Sequence, residues 1–285
     1  MRSIARVVTT PPPAPGFIGA GHTAVEVLHS DDLVASDPFV LLMDDRLDIP
    51  ERRAIGGAHP HAGLETVTFV IEGEIHDRDE GTLETGDVLW MNAGRGVIHN
   101  EHVEAVGRSR ILQLWIRLPS GERDSAPSFE TIRGRSVPTR REGAAELRLY
   151  SGASGAELSP TRNRVPITMA DLRLGSGGYI VQSLPASYNG FLYVLEGAVR
   201  IGPQSLSAGQ VGWLDRPLDS GSSDLEVRAP DGPARAVLYA GQPQNEPLVH
   251  HGPFVGGSTR DIQRLFHEFR SGRFEPLSQV AERQS

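Results

Sequence analysis

The sequence predicts an all-β fold made of two barrels in tandem. Gly and Pro contribute 32 and 21 of the 285 residues, and they separate short segments that are apolar or that alternate apolar with polar residues. Short strands spaced by turns are typical of sandwiches and barrels. The two halves of the chain also resemble each other. A repeat of such a long period indicates two copies of one domain rather than a solenoid.

The repeat is carried by matched strand segments. Residues 68–73 read TFVIEG and residues 192–197 read LYVLEG, an offset of about 124 positions. After this motif, a glycine is followed four residues later by a tryptophan in both halves, at Gly86 and Trp90 and at Gly209 and Trp213. The segments with the clearest strand pattern are, in chain order, ETVTFVIEG, GDVLWM, RILQLWIRL, GGYIVQSL, GFLYVLEGAVRIG and ARAVLYAG.

One segment near the C-terminus has a clear helical pattern. Ser258 can cap its start, and Arg270 with Gly272 can close its end. Its apolar residues recur at helical spacing, at Ile262, Leu265, Phe266 and Phe269. We expect this helix to pack on a barrel.

These signals predict three regions. Residues 1–120 form an N-terminal barrel with the candidate site, and residues 121–165, rich in Arg, Glu, Ser and Pro, form a linker region. Residues 166–285 form a C-terminal barrel followed by the helix. We expect a monomer, because the second barrel can cover the first.

The composition excludes several kinds of chemistry. Cysteine is absent, which excludes disulfides, thiolate nucleophiles and Fe–S clusters, and lysine is absent, which excludes Schiff-base catalysis through that residue. A net charge of −8 gives no basic surface for nucleic acid. No apolar run approaches the roughly 18 residues of a membrane span, and no signal peptide is evident. We therefore expect a cytoplasmic protein with neither nucleic-acid nor membrane partners.

Two pairs of potential metal ligands lie beside strand-like segments. His59 and His61 form one pair, and His99 and Glu101 form the other. In a strand, residues two apart point to the same face, with Cα atoms about 6.6 Å apart. If the strands are neighbours, three imidazoles and one carboxylate converge, which suits Fe, Mn, Co, Ni or Zn. A lone histidine is usually a surface or satisfied core residue, but two such pairs favour a metal site.

The second copy of the repeat lacks these histidines. The offset places Ser183 and Pro185 at the positions of the first pair, and Ser222 and Asp224 at those of the second. The sequence therefore predicts one metal site, in the N-terminal half, and a structural role for a metal-free C-terminal barrel.

The same residues belong to a longer pattern that resembles the pirin family of bicupins. The likeness extends over DPFVLLMDD, HPHAGLETVTFVIEG, GDVLWMNAGRGVIHNE, LQLWIRLP, FLYVLEG and EPLVHHGPFVGGST. It implies two tandem cupin barrels, each a double-stranded β-helix or jelly-roll. It further implies Fe(II) in the N-terminal barrel, with other divalent metals (Mn, Co, Ni, Cu, Zn) possible, held by His59, His61, His99 and Glu101.

The resemblance also implies a function. For bacterial pirin-like proteins it implies a quercetin 2,3-dioxygenase, which opens the ring of a flavonol with O₂. Glu101 would then be both a ligand and the base that takes the 3-hydroxyl proton. The alternative is a non-enzymatic, iron-binding regulator that docks on a transcription factor or a metabolic enzyme. Ala62 and Leu64 depart from the family pattern beside the ligands and bear on the substrate.

Two further expectations follow from strand parity. Glu65 shares the face of His61, but four residues carry it about 13 Å along a straight strand, so a shared metal requires a bend at Gly63. We therefore prefer Glu101 as the ligand and Glu65 as a neighbouring polar group. Phe69 and Ile71 have the parity of the ligands, and we expect them to line the barrel interior.

Overall fold

The computed structural model describes residues 1–28, 33–77, 81–100, 103–217 and 221–284. The strands are β1 (Ile4–Thr9), β2 (Ala14–Pro15), β3 (His22–Leu28), β4 (Phe39–Ile55), β5 (Ala58–His61), β6 (Leu64–Glu72), β7 (Glu74–Asp77), β8 (Gly81–Glu84), β9 (Val88–Asn92), β10 (Val97–Asn100), β11 (Val103–Arg117), β12 (Ser128–Ile132), β13 (Thr139–Glu142), β14 (Ala145–Ser151), β15 (Ala153–Ser154), β16 (Glu157–Leu158), β17 (Ile167–Leu174), β18 (Tyr179–Pro185), β19 (Asn189–Glu196), β20 (Ala198–Ile201), β21 (Gln204–Ser207), β22 (Gln210–Leu214), β23 (Ser222–Arg228), β24 (Ala234–Gly241), β25 (Val249–His251), β26 (Phe254–Gly256) and β27 (Glu275–Pro276). The helices are α1 (Leu33–Ser36), α2 (Thr259–Arg270) and α3 (Leu277–Gln284), with short 3₁₀ turns at Ser120–Glu122 and Gly134–Ser136. The predicted all-β class is confirmed.

The chain divides into two compact units. The N-terminal unit consists of Pro12–Val34, Phe39–Arg135 and Gln244–Ser285, and the C-terminal unit of Met1–Pro11, Ala35–Pro38 and Ser136–Pro243. The main sheets of the two units repeat one strand order. In the N-terminal unit it is β12-β9-β6-β11-β4-β3-β2, and in the C-terminal unit it is β1-β22-β19-β24-β17-β14-β13. The matched order agrees with the internal repeat seen in the sequence.

The predicted domain boundaries differ from these units. Strand β1 pairs with β22, so the first residues complete the sheet of the C-terminal unit, and β13 and β14 of the predicted linker extend the same sheet. The last residues, from Gln244, belong to the N-terminal unit. Local patterning locates a strand but does not specify its partner, because an edge strand can satisfy its backbone hydrogen bonds on any free sheet edge.

Each unit has a smaller sheet besides the main one. In the C-terminal unit the order is β18-β23-β20-β21, and in the N-terminal unit it is β27-β10-β5. One core cluster of the C-terminal unit joins Leu172 and Leu238 of the main sheet to Ile180 and Leu225 of the smaller sheet. The two sheets therefore pack face to face, as in a jelly-roll.

Both units contain the same ion triad around a buried aspartate. In each, an aspartate with a fully buried side chain accepts a bidentate pair of hydrogen bonds from an arginine on the neighbouring strand, at 2.7–2.8 Å in the N-terminal unit and 2.9–3.1 Å in the C-terminal unit. A second arginine two residues after the aspartate also contacts it. The triads are Asp44–Arg46–Arg110 and Asp171–Arg173–Arg235. The planar guanidinium matches the two carboxylate oxygens and so offsets the cost of burial.

The predicted C-terminal helix is confirmed as α2. The Ser258 hydroxyl accepts a hydrogen bond from the Asp261 amide at 3.2 Å, and Gly272 with φ +69 follows the helix end. Ile262 and Leu265 pack in a cluster with Ala62, which directly follows His61. The helix thus braces the N-terminal unit, whereas the domain prediction placed it with the C-terminal barrel.

The sequence patterns missed helix α3. Its buried Leu277 and Val280 pack on Met91 and Val97 of strands β9 and β10. With two turns and no capping pattern, it lacks the length over which helical periodicity is detectable. Among the described residues, no helix is both long and apolar enough to cross a membrane.

Candidate metal centre

Three histidines of the N-terminal unit converge across one pair of strands. Strand β5 carries His59 and His61 on the same face, and β10 pairs antiparallel with it so that His99 lies opposite His59. One ligand nitrogen from each ring lies within 4.8 Å of the other two. The Nε2 atoms of His59 and His99 are 2.9 Å apart. The parity argument thus correctly predicted the convergence of these three residues.

The backbone after His61 is fixed by the chain segment that follows β24. Ala62 forms a bridge with Phe254, and the amide of Gly63 donates to the carbonyl of Gly94 at 2.8 Å. Gly63 has φ +76, and a Cβ at this position would lie 2.0 Å from the carbonyl oxygen of Val255. Only glycine fits here without displacing the β25–β26 hairpin.

Burial keeps the imidazoles in the form that can bind a metal. Desolvation, together with the nearby His99, lowers the pKa of His59 to about 4, and the hydrogen bond to the Gly57 carbonyl only partly offsets this. The pKa of His61 is also lowered well below its usual range, again mainly by burial. Both rings are therefore neutral near pH 7, and a neutral imidazole is the species that donates a lone pair.

Hydrogen bonds set the orientation of the His59 ring. Its Nδ1 lies 3.0 Å from the Gly57 carbonyl oxygen and must donate to it, which leaves the lone pair on Nε2. That lone pair faces the ring of His99. Two ligands in cis positions on an octahedral ion, each at ~2.1 Å, would be ~3.0 Å apart, close to the observed Nε2–Nε2 separation.

His61 is a buried polar group in need of a partner. The residue is 1% exposed, and among the described residues neither ring nitrogen has a hydrogen bond of normal geometry, although the nearby Pro253 backbone slightly favours the protonated ring. Buried polar atoms in native proteins are nearly always satisfied, and an ion is one way to satisfy them. The donor set, its protonation and its spacing all fit a divalent transition metal.

The structure does not bring Glu65 to this cluster. Glu65 is buried on β6 opposite Asn92, outside the group of histidine nitrogens, although Gly63 does supply the bend that a shared metal would require. Glu101, the predicted fourth ligand and base, lies outside the described residues. Its role stays a prediction.

An apolar cavity opens beside the histidines, within the N-terminal unit. It encloses about 780 Å³ including its open mouth, in the range of small-molecule sites. Its lining comes from strands β4, β5, β6, β7 and β11 and from the segment before β3: Phe17, Ile18, Leu41, Met43, Asp45, Leu47, His59, His61, Thr68, Ile75, Ile111, Gln113 and Trp115. His61 and Trp115 meet edge to face, with ring centroids 4.9 Å apart. His59 and His61 therefore form part of the wall of this cavity.

The parity prediction for strand β6 was right about burial and wrong about the face. Phe69 and Ile71 are buried, but Thr68 lines the cavity and hydrogen-bonds to Gln113 at 2.7 Å, so the two apolar residues point to the opposite face of the strand. The reason is the left-handed turn at Gly63, which separates β5 from β6 and breaks the alternation between them. The sequence reasoning also missed Asp45 and Gln113, because β4 and β11 carry no ligand motif.

Comparison with known proteins agrees with this geometry. The pirin family model matches residues 23–116, and the model described as the pirin C-terminal cupin domain matches residues 169–275. A Pseudomonas aeruginosa protein named "Putative quercetin 2,3-dioxygenase" is 32% identical over 252 residues, covering 83% of this chain and 86% of its own length. The chain belongs to the pirin family. Its two units are the tandem cupin barrels of that family.

Two other comparisons also cover most of the chain. Pirin-1 of Arabidopsis thaliana is 33% identical over 248 residues, which are 83% of each protein. The crystal structure of quercetin 2,3-dioxygenase from Acinetobacter baumannii superposes with a TM-score of 0.85 and 28% identity, over 96% of this chain and 98% of that one.

The second cupin barrel has the corresponding strand pair without the histidines. Strands β18 and β23 pair so that Ser183 faces Asp224 and Pro185 faces Ser222. These are the positions that the repeat offset assigned to the metal ligands. The absence of a metal from this barrel stays a prediction.

Proposed function

We propose that the protein is a metal-dependent dioxygenase of the pirin type that opens the ring of quercetin-like flavonols. The observation that carries the proposal is the convergence of His59, His61 and His99, with the buried His61 short of a hydrogen-bond partner of normal geometry, beside an apolar cavity. The relatives named as quercetin dioxygenases support the choice of substrate class.

The metal would be held by His59, His61 and His99, with Glu101 as the proposed fourth ligand. When bound, a divalent metal, with Fe(II) our first choice, would supply a Lewis acid that favours the ionised 3-hydroxyl and open positions for substrate and O₂. Glu101 would accept the proton of that hydroxyl, because a carboxylate is the strongest base the proposed ligand set offers.

The walls of the cavity would orient the substrate. Leu41, Met43 and Trp115 offer apolar surface beside His61, which would bury a planar aromatic ring system and exclude water from it. Exclusion of water strengthens the electrostatic interactions at the reacting hydroxyl and limits side reactions.

Metal content and flavonol consumption together test the proposal. We expect about one divalent ion per chain in the purified protein, and O₂-dependent loss of the near-visible absorbance of quercetin. His61→Ala should lose most of the metal, whereas His267→Ala, on the exposed face of α2, should retain it. Equal metal content in both variants would refute the ligand assignment.

Turnover distinguishes this proposal from the regulatory alternative, which the plant relatives named pirin keep open. Metal-replete protein that leaves quercetin and related flavonols intact in air would refute the dioxygenase. Specific capture of a transcription factor or metabolic enzyme in only one iron oxidation state would then support the regulator.

A further inference from the structure

One cavity residue outside the histidine cluster can carry a charge. Among the described lining residues, Asp45 is the one acidic side chain, and it lies on β4 among apolar neighbours with 13% of its side chain exposed. Burying a carboxylate in apolar surroundings is costly unless hydrogen bonds compensate. Its retention in this wall therefore requires partners.

His22 supplies one partner. A backbone hydrogen bond fixes which ring nitrogen of His22 carries the proton. The amide of Ile18 donates to Nδ1 of His22 at 3.2 Å, so the ring proton must be on Nε2. Nε2 lies 2.8 Å from Oδ1 of Asp45 and donates to it. His22 has no exposed side-chain surface and packs on Gly16, where a Cβ would lie 2.0 Å from the ring. The donor is therefore held rigidly.

The second carboxylate oxygen has no such partner. Within the described part of the chain, Oδ2 of Asp45 has no hydrogen-bond donor. The other polar pair of the wall is satisfied internally, because the hydroxyl of Thr68 donates to Gln113. A ligand hydroxyl that reaches Asp45 would thus meet a carboxylate oxygen that can accept its hydrogen bond. The hydrogen bond from His22 to the other oxygen holds this carboxylate in place.

We infer that Asp45 is a specificity-determining residue that accepts a hydrogen bond from a phenolic hydroxyl of the substrate, remote from the end that faces the histidines. This inference rests on the proposed function and specifies its substrate class as polyhydroxylated flavonols. His22 is a positioning residue that acts through Asp45.

The placement of Asp45 suits a ligand of more than one ring. Leu41 lies opposite Trp115, which contacts His61, and Asp45 is four residues further along β4, about 13 Å away for a regular strand. Phe17 lies between the two ends, with its ring centroid 5.8 Å from His22 and 6.3 Å from His59. A ligand that contacts both Trp115 and Asp45 must therefore be longer than a single phenol, and a tricyclic flavonol has that length.

Anaerobic binding measurements test the inference without catalysis. Calorimetric titration of the metal-loaded protein would compare 3-hydroxyflavone, which has the chelating end alone, with galangin and quercetin, which add hydroxyls to one ring or to both. We expect quercetin to bind at least about tenfold more tightly than 3-hydroxyflavone, as for a hydrogen bond to a charged group.

Asp45→Asn should abolish most of this preference while leaving the affinity for 3-hydroxyflavone and the metal content unchanged. Asp48→Asn, an exposed charge on the same strand, is the matched control and should keep the preference. The ratio of two affinities within one variant is insensitive to a loss of folded protein. Galangin then shows which ring of the flavonol faces Asp45, because it adds hydroxyls to only one of the two rings that carry them in quercetin.

Several outcomes separate this inference from the proposed function. An Asp45→Asn protein that retains the preference, or a parent that binds all three flavonols equally or none of them, would overturn the inference. Turnover in air decides the dioxygenase independently: an Asp45-dependent preference without turnover would uphold the inference and refute the activity.

Discussion

His59 is partly buried and His61 is buried, and both side chains take up protons at low pH. Their burial makes the stability of the metal-free protein depend on pH. The pKa of His59 is lowered from 6.5 to about 4 in the folded protein, chiefly by burial, and that of His61 is lowered as well. The unfolded chain therefore binds more protons than the folded chain between these values. By linkage, stability falls as the pH falls through this window.

We predict a loss of stability between pH 6.5 and pH 4 for the metal-free protein. The shift of His59 alone corresponds to at most about 3 kcal/mol across this window. Urea unfolding after removal of metal by a chelator would measure it at pH 7, 6 and 5. His59→Gln, which does not titrate, should show a shallower slope. Equal slopes would contradict the assignment to His59.

Gly63 offers a second prediction at the scale of one residue. Gly63→Ala would combine a left-handed φ of +76 with a collision against the Val255 carbonyl, whereas Gly252→Ala would have a φ of +57 in open space. We expect about 1 kcal/mol of destabilisation from the backbone strain at Gly252 and clearly more at Gly63. Thermal unfolding measures both, and similar losses would refute the role of the close approach.

Among the elements, the β25–β26 hairpin and helix α2 support the candidate metal centre. Phe254 is fully buried, forms a bridge with Ala62 and packs against the rings of Phe266 and Phe274. The backbone of Ala62 follows directly on His61. The position of this ligand therefore depends on an element that is almost 200 residues away in sequence.

We predict that Phe254→Ala weakens both stability and metal binding. The cavity left by the ring should cost about 3–5 kcal/mol. Phe254→Leu should cost less because it retains much of the volume. Denaturant unfolding and metal titration of both variants measure the two effects. Unchanged metal affinity in a folded Phe254→Ala protein would show that the hairpin does not position His61.

The sequence predicted which segments form strands and helices better than it predicted which strands pair with one another. Strand parity correctly brought His59, His61 and His99 together, since alternation is a local property, and α2 was evident from its cap and spacing. Parity gave the burial of Phe69 but the wrong face, because Gly63 interrupts the alternation, and it gave no indication of Asp45. The pairing of β1 with β22 depends on contacts between distant segments, which no local pattern encodes.

At the scale of the whole molecule, the same ion triad occurs at equivalent positions in both barrels, as expected for two copies of one domain. Asp44 and Asp171 occupy equivalent positions on β4 and β17, and each is held by an arginine from β11 or β24. The short pattern of an aspartate followed two residues later by an arginine was present in the sequence. The distant arginine that completes each triad became evident only from the sheet register.

We predict that Asp171→Asn destabilises the protein by about 3–5 kcal/mol, because it leaves Arg235 without its buried counter-charge. The metal content should stay that of the parent, since the triad lies in the barrel without histidines. Denaturant unfolding and elemental analysis measure the two quantities. An Asp171→Asn protein that has lost its metal would contradict the assignment of separate roles.

The exchange of terminal segments between the two barrels constrains how the protein can be made. Strand β1 leaves the ribosome early but must wait for β22 before it has a neighbour to pair with. The hairpin and helices that follow residue 243 are made after every strand of the C-terminal unit, yet they belong to the N-terminal unit, whose first strands are translated early. The C-terminal unit therefore has all its segments before the N-terminal unit does. The histidine cluster gains its full support only after the segment that follows residue 243 has been made.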